Sequence, residues 1–203
     1  MFMKTVIATV LFAAASAASA QAIVSQAAPP FTATDITGKT VSLSQLKGKY
    51  VVLEWFQPNC PFVQKHYNSG NMPAVQKYAA GKDVVWLSVH TTYESTAEET
   101  AALGDWMKSN KAAPSAVLVD TKGAMGKAYG AKATPHMYLI NPSGRLVYGG
   151  AIDSKPTANP ADIQTATNYV KQAIDESLAG RPVSKPVTQA YGCSVKYSWT
   201  GLW

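Results

Sequence analysis

The sequence is poor in cysteine, and the two cysteines that it has are far apart. Cys60 follows an apolar run at residues 51–56, and Cys193 stands near the end of the 203-residue chain. The position three residues after Cys60, where a local dithiol would have its second thiol, is Val63. This spacing excludes a Cys-x-x-Cys cycle within one helical turn. Any reaction that needs both thiols must bring distant parts of the chain together.

Clustered metal ligands and clustered positive charges are also missing. The three histidines are scattered: His66, His90 and His136. Soft metal sites such as those of copper carriers combine thiolates with imidazole, and the second nearby thiol that such a site needs is absent. We therefore expect no metal and no other cofactor. The formal charge is +6, but the lysines form no stripe. That pattern favours solubility and weak attraction to anions over nucleic-acid binding.

Long apolar runs are absent beyond the N-terminus. Residues 1–22 contain a charged Lys4, a short apolar core at residues 6–15 and small-x-small cleavage sites at its end, as export signals do. The core is shorter than the roughly 20 residues of a membrane-spanning helix. We predict a signal peptide over 1–22, export to the bacterial periplasm and no stable membrane span. In that oxidising compartment a disulfide, permanent or cyclic, is the expected state of two cysteines.

The rest of the chain alternates apolar strand patterns with helix patterns, which is typical of an α/β protein. We predict a thioredoxin-like fold over 23–180, with a central mixed β-sheet flanked by helices, and a C-terminal tail over 181–203 that carries Cys193. The predicted strands are 50–56, 84–89, 116–119, 136–140 and 145–148, after a hairpin at 31–42 and one helical turn at 43–46. The predicted helices are 60–67, 72–80, one capped by Ser95 or Thr96 that runs to about 110, 123–129 and, as the longest, 160–178.

Cys60 is the strongest candidate for a reactive residue, because it stands where a strand runs into a helix. Pro61 would be the first helical residue, a position that proline tolerates. Free amide groups and the helix dipole favour a negative charge there, and they lower the pKa of such thiols from about 8.5. Lys65 and His66 are placed to add positive potential. We therefore predict an accessible thiolate; the alternative is a buried structural cysteine.

Thr134 and Pro135 come just before an apolar strand. In a thioredoxin fold, a Thr-Pro bond at this point is cis, and its backbone faces the reactive sulfur and forms the substrate groove. The alternative is an ordinary trans proline that opens a strand, since cis bonds are uncommon even before proline.

Cys193 is the candidate partner of Cys60. The 12 residues between Gly180 and Cys193 reach about 40 Å when extended, so distance does not forbid contact. Cys193 either resolves an oxidised Cys60, forms a permanent bond with it, or remains unpaired. A bond would close a loop of over 130 residues, worth about 5 kcal/mol in the chain-entropy treatment. The tail aromatics either cover the active-site face or anchor the tail elsewhere: Tyr197, Trp199 and Trp203.

Four segments together resemble the peroxiredoxin-like AhpC/TSA (redoxin) family of the thioredoxin-like superfamily: 55–67, 129–135, 149–153 and 192–196. The resemblance implies a thioredoxin fold, antioxidant or thiol–disulfide activity, and Cys60 in the place of the reactive cysteine. The chain departs from true peroxiredoxins at Gln57, where they carry threonine. They also use an arginine to polarise the peroxide, and the two arginines of this chain, Arg145 and Arg181, lie in no matching segment.

Taken together, these features predict an exported thiol oxidoreductase that reduces peroxides or disulfides through Cys60. In this reading Cys193 resolves the intermediate, Pro135 shapes the substrate groove and a separate dithiol donor reduces the pair. Its partners would be a peroxide or a thiol or disulfide protein, and no nucleic acid. A hypothesis of another class is a non-catalytic thioredoxin-like binding module, in which a Cys60–Cys193 disulfide is purely structural.

Overall fold

The computed structural model describes residues 22–92 and 96–197. The predicted signal peptide, apart from its last residue, and the predictions for Trp199 and Trp203 lie outside these ranges. Within them, no helix has both the length and the apolar character that crossing a membrane requires.

A seven-stranded mixed sheet forms the centre of the molecule, in the order β2-β1-β5-β4-β3-β7-β8. The three inner strands β3, β4 and β5 run parallel, and the strands on either side of them are antiparallel. A separate two-stranded ribbon pairs β6 with β9. The strands are β1 (Thr32–Asp35), β2 (Thr40–Ser42), β3 (Tyr50–Trp55), β4 (Val84–Thr92), β5 (Ala116–Thr121), β6 (Ala133–Thr134), β7 (His136–Ile140), β8 (Leu146–Gly150) and β9 (Cys193–Ser194).

In the described part of the chain five α-helices flank the sheet, and most of the predicted helices are present. They are α1 (Pro61–Asn68), α2 (Asn71–Ala80), α3 (Ala97–Ser109), α4 (Ala124–Tyr129) and α5 (Tyr169–Leu178). The predicted turn at 43–46 is a 3-10 helix, Leu43–Leu46. Of the two predicted caps of α3, the structure uses Thr96, whose side chain accepts a hydrogen bond from the Glu99 backbone while Glu99 bonds back, as in a capping box.

The predicted single helix at 160–178 is wrong. A 3-10 helix, Pro160–Thr165, and α5 take its place, and α3 is the longest helix of the described part of the chain. Ala166 is extended, and the Asn168 side chain caps α5 by accepting from the Lys171 backbone. The break lets Asn168 pair with Asp153 in a short antiparallel bridge, which ties the start of α5 to the segment after β8.

Alternation along β3 divides the interior into two apolar layers, since successive side chains of a strand face opposite sides of the sheet. Val52 belongs to the layer under α1, α2, α3 and α5, and Phe56, just beyond the strand, continues it. Val51, Leu53 and Trp55 belong to the layer under α4 and the N-terminal segment. Cys60 lies in the first layer. The site is therefore built on a strand that is buried on both faces.

The tail returns along one edge of the sheet to reach Cys193. Val187 forms a parallel bridge with Gly149 of β8. Further on, β9 pairs with β6 so that Thr134 stands opposite Cys193. Tyr197 then packs against Gly126 of α4. The tail thus contacts the body of the protein at several points along its described length.

Candidate functional site

Cys60 occupies the strand-to-helix junction that the sequence predicted. It is the N-cap residue of α1, with extended backbone angles, and Pro61 takes the first helical position. The Cys60 carbonyl accepts hydrogen bonds from the backbone N–H groups of Val63 and Gln64 at 3.0 and 2.9 Å. The sulfur is thus held at the amino end of an eight-residue helix, where the helix dipole favours an anion.

Cys60 and Cys193 form a disulfide, with their Cα atoms 5.9 Å apart and a sequence separation of 133. Because the sequence has only two cysteines, the bond uses both. The alternative of an unpaired Cys193 is wrong. A resolving role and a permanent bond both require this pairing, so a reduction experiment is needed to distinguish these two roles of Cys193.

Thr134 and Pro135 lie directly beside the disulfide. The peptide bond between them is cis, as the fold resemblance predicted. The Thr134 carbonyl oxygen is 3.1 Å from the Cys60 sulfur, and in the dithiol form it would accept the Cys60 S–H. The Thr134 hydroxyl donates to the Cys193 carbonyl at 3.4 Å. The backbone edge that was predicted to form a substrate groove is therefore paired with the chain's own tail.

The prediction of an accessible Cys60 is wrong for the disulfide-bonded chain. Cys60 is 1% exposed, because β9 lies over it and its side chain belongs to the apolar layer that includes Phe56 and Val63. Cys193 is partly exposed. Sequence reasoning placed Cys60 correctly but could not show that the tail would cover it.

Lys65 and His66 do not supply the free positive charge that was predicted. Both side chains are fully buried. The Lys65 ammonium donates to the Lys155 carbonyl at 2.9 Å and lies 3.6 Å from Asp153. Burial, partly offset by Asp153, lowers the pKa of His66 to about 4. His66 is therefore neutral near pH 7, and Lys65 is committed to a carboxylate.

Asp153 and Tyr191 complete this buried cluster, and the sequence did not single out either role. Asp153 Oδ1 accepts from the Tyr191 hydroxyl at 2.5 Å and from the Lys155 backbone at 2.9 Å. Burial and the carboxylate of Asp153 raise the pKa of Tyr191, so the phenol stays a neutral donor. Two features of the sequence could have pointed to these residues: an acidic residue directly after the apolar residues 151–152, and a tyrosine two positions before Cys193.

Glu54 is a second buried acid that sequence reasoning noted only as an exception in an apolar strand. It is fully buried and accepts four side-chain hydrogen bonds at 2.7–3.1 Å, from Tyr67, Gln76, Trp86 and Ser88. Loss of hydration raises the pKa of Glu54, and the four donors act in the opposite direction. This network joins β3, β4, α1 and α2 beneath the Cys60 helix.

The two arginines lie away from the disulfide. Arg145 precedes β8, and its guanidinium donates to the Ser25 carbonyl at 2.5 Å. Because Ile140 pairs with Val51 at the start of β3, Arg145 stands at the end of the sheet opposite to Cys60. Arg181 follows α5 and is exposed. Among the described residues, no three His, Cys, Asp or Glu side chains are grouped so as to hold a metal ion.

Comparisons with known proteins agree with this architecture. The thiol-disulfide oxidoreductase ResA of Bacillus subtilis (strain 168) is 30% identical over 120 residues, which make up 59% of this chain and 63% of ResA. The match thus spans less than two thirds of that relative.

Solved structures give the same fold. An uncharacterized conserved protein of Geobacillus kaustophilus is similar at a TM-score of 0.72 and 24% identity, over 88% of this chain and 94% of that one. The thioredoxin domain of the thiol-disulfide oxidoreductase BVU-2223 of Bacteroides vulgatus is similar at 0.53 and 19% identity, over 70% and 96%. The predicted thioredoxin-like fold is confirmed.

The family profile is the most direct of these findings. The profile of the AhpC/TSA family matches residues 24–149, which include the Cys60 junction, Thr134–Pro135 and the seven strands of the main sheet except the last residue of β8. The chain belongs to the AhpC/TSA family.

Proposed function

We propose that this chain is an exported thiol–disulfide oxidoreductase in which Cys60 and Cys193 alternate between dithiol and disulfide. The observation that carries the proposal is the Cys60–Cys193 bond at the amino end of α1, beside the cis Thr134–Pro135 bond. The similarity to ResA, whose name states a thiol–disulfide oxidoreductase, supports the same class of reaction.

The reaction begins from the dithiol form. The Cys60 thiolate attacks one sulfur of a substrate disulfide, and the S–S bond breaks so that one substrate thiolate leaves and takes up a proton. Cys60 is then joined to the other substrate sulfur. The Cys193 thiolate attacks Cys60, forms the observed bond and releases the second substrate thiolate. The substrate has gained two electrons and two protons, and a dithiol donor returns the pair to its reduced state.

A disulfide suits this site better than a peroxide. Heterolysis of a peroxide develops negative charge on the leaving oxygen, and a nearby guanidinium would stabilise it. Arg145 lies at the opposite end of the sheet and Arg181 beyond α5, and Lys65 is engaged with Asp153. The two arginines and Lys65 are therefore not available to assist peroxide cleavage, whereas the amino end of α1 supplies its amides to Cys60.

The proposal is tested by mixing the fully reduced chain with insulin and, separately, with hydrogen peroxide. We expect insulin reduction that Cys60→Ser abolishes. Cys193→Ser, which keeps the attacking thiol, should accumulate a mixed disulfide that mass spectrometry detects. Rapid peroxide consumption without insulin reduction would replace the disulfide substrate with a peroxide. If the reduced chain reacts with neither insulin nor hydrogen peroxide, the hypothesis of an enzyme is wrong.

The burial of Cys60 favours a second candidate, a binding module with a permanent disulfide. A sulfur that is 1% exposed is shielded from an attacking thiolate, and exchange requires access. Treatment of the native protein with millimolar dithiothreitol, followed by alkylation and mass spectrometry, separates the two candidates. A bond that opens only in denaturant would favour the module, whereas opening in the folded protein would favour the enzyme.

The proposal also includes export to the periplasm and a dithiol donor protein in that compartment. Lys4 and the apolar core at residues 6–15 support removal of residues 1–22 during export to the periplasm, and a separate periplasmic dithiol protein would serve as donor. Expression of the full chain in a Gram-negative host, with mass analysis of the osmotic-shock fraction, should give a product that lacks this segment. An uncleaved product in the cytoplasm would contradict export.

A further inference from the structure

We propose that Tyr191 is a positioning residue that keeps Cys193 beside Cys60 in the dithiol form, by docking in a buried pocket built around Asp153. The inference rests on the proposed cycling of the two cysteines. It adds that the tail does not depend on its disulfide to remain in place.

The pocket for Tyr191 combines buried polar groups that suit its hydroxyl with apolar contacts that suit its ring. Its hydroxyl donates to Asp153 Oδ1 at 2.5 Å and lies 3.3 Å from His66 Nε2. Its ring and that of Phe62 form a T-shaped pair with a centroid distance of 5.8 Å, and the Lys65 ammonium is 5.7 Å from the Tyr191 ring centre. A phenylalanine would fit the ring contacts but would remove the donor from a buried carboxylate.

Contacts that do not involve the tail hold the pocket in shape. Lys65 donates to the Lys155 carbonyl at 2.9 Å, and the Lys155 backbone donates to Asp153 Oδ1 at the same distance. His66 Nδ1 is 2.8 Å from the Asn71 side-chain nitrogen. If Tyr191 left, the Asp153 carboxylate would lose the phenol that donates to its Oδ1, while its Oδ2 already has no hydrogen-bond partner among the described residues. Such a loss is costly for a buried acceptor.

Further anchors stand on both sides of Cys193, and none of them uses its sulfur. Before it, the Thr188 hydroxyl lies 2.6 Å from that of Tyr148 and accepts from the Ala151 backbone at 2.9 Å. After it, the Tyr197 hydroxyl donates to the Ala131 carbonyl at 2.5 Å. The tail is therefore held at several points when the bond is absent.

Tyr191 is the anchor next to the reacting atoms. Only Gly192 separates it from Cys193, and a Cβ built on Gly192 would collide with the Thr134 carbonyl. The backbone thus passes too close to β6 for a side chain, and Cys193 is set opposite Thr134, whose oxygen also lies 3.1 Å from the Cys60 sulfur. Seating Tyr191 therefore fixes the approach of one sulfur to the other.

The first test uses the full chain with Cys60→Ser and Cys193→Ser, which cannot form the bond. Hydrogen exchange is measured at the tail amides of Thr188 and Val195, which donate to the carbonyls of Gly149 and Lys132. We expect both amides to be protected. Tyr191→Phe should lower that protection by about tenfold or more, the size expected for a hydrogen bond to a charged group.

A matched control removes a phenol hydroxyl elsewhere. Tyr50 donates to the Ser177 carbonyl at 3.0 Å, so Tyr50→Phe should leave tail protection unchanged within a factor of about two. Tail amides that exchange freely in the serine chain, or a Tyr191→Phe chain with the protection of its parent, would overturn the proposal.

The second test measures a redox quantity that a merely structural tyrosine would not move. Equilibration of the cysteine-containing chain with glutathione gives the effective concentration of Cys193 at Cys60. Tyr191→Ala should lower it about tenfold or more, whereas Tyr50→Phe should not. If the disulfide resists reduction but Tyr191→Phe still lowers the protection of the tail amides in the variant without cysteines, the proposed redox cycle is wrong and the docking role of Tyr191 is supported. If the disulfide is reduced readily and the Tyr191 variants change neither the amide protection nor the effective concentration, the positioning role is wrong and the redox cycle is supported.

Discussion

Cys193→Ser should destabilise the protein by an amount that the loop length sets. The lost bond joins residues that are 133 apart, and in the chain-entropy treatment a loop of this length is worth about 5 kcal/mol. This value applies only if the tail stays packed on the body when the bond is absent. If the tail detached, the native state would gain entropy as well, and the loss of stability would shrink. The expected loss therefore also measures how firmly the tail is docked.

The assay is urea unfolding of the oxidised wild type, the reduced wild type and Cys193→Ser. We expect the last two to lose the same free energy of unfolding, close to 5 kcal/mol, with a larger m-value because the unfolded chain is less restricted. Cys60→Ser serves as a control that removes the same bond from the other side. A loss below about 1 kcal/mol, or melts of Cys193→Ser and reduced wild type that disagree, would refute the reasoning.

Three further outcomes are expected from the buried groups and the tail. Glu54→Gln should cost about 1–3 kcal/mol in urea unfolding, because the new amide NH2 group replaces one oxygen and, even in the better orientation at Oε1, faces the Tyr67 donor and leaves it unpaired; unchanged stability would contradict this. The folded pKa of His66 is about 4, below the roughly 6.5 of an unfolded chain, so its contribution is present above pH 6.5 and is lost as the pH falls towards 4. The stability difference between wild type and His66→Gln should therefore shift by about 2 kcal/mol between pH 7.5 and 5, and parallel pH profiles would exclude the effect. Gly192→Ala should weaken the disulfide, at a strain of about 1–3 kcal/mol, because the added Cβ meets the Thr134 carbonyl; the dithiothreitol concentration that half-reduces the bond would then fall, and an unchanged midpoint would rule out the clash.

The elements around Cys60 could be predicted from the sequence because local signals agreed there. The apolar run at 50–56 followed by Cys60 and Pro61 specified a buried strand, a turn and a helix start. The prediction of a single helix at 160–178 was wrong because it depended on the spacing of apolar residues alone. Ile163 and Val170 keep helical spacing, but that spacing does not detect an extended Ala166 or an Asn168 that starts a new helix.

The electrostatics of the site could not be predicted, because they depend on burial and on distant residues. The sequence alone identifies Lys65 as a basic residue and His66 as a titratable one. Only the fold brings Asp153 and Tyr191 to them, and it buries Lys65, His66 and Asp153 while Tyr191 stays partly exposed. Two of the three alternatives for Cys193 required its pairing with Cys60, and the path of the tail excluded only the third, an unpaired thiol.

The return of the tail along β8 bears on how copies of this chain behave towards one another. The Gly149 backbone donates to the Pro186 carbonyl at 3.0 Å and accepts from Thr188 at 3.1 Å, which satisfies part of the outer edge of the sheet. The other edge, β2, is only three residues long. Unpaired edges invite strands from other molecules and lead to aggregation. Cutting the tail away should therefore uncover this part of the edge and promote self-association through β8.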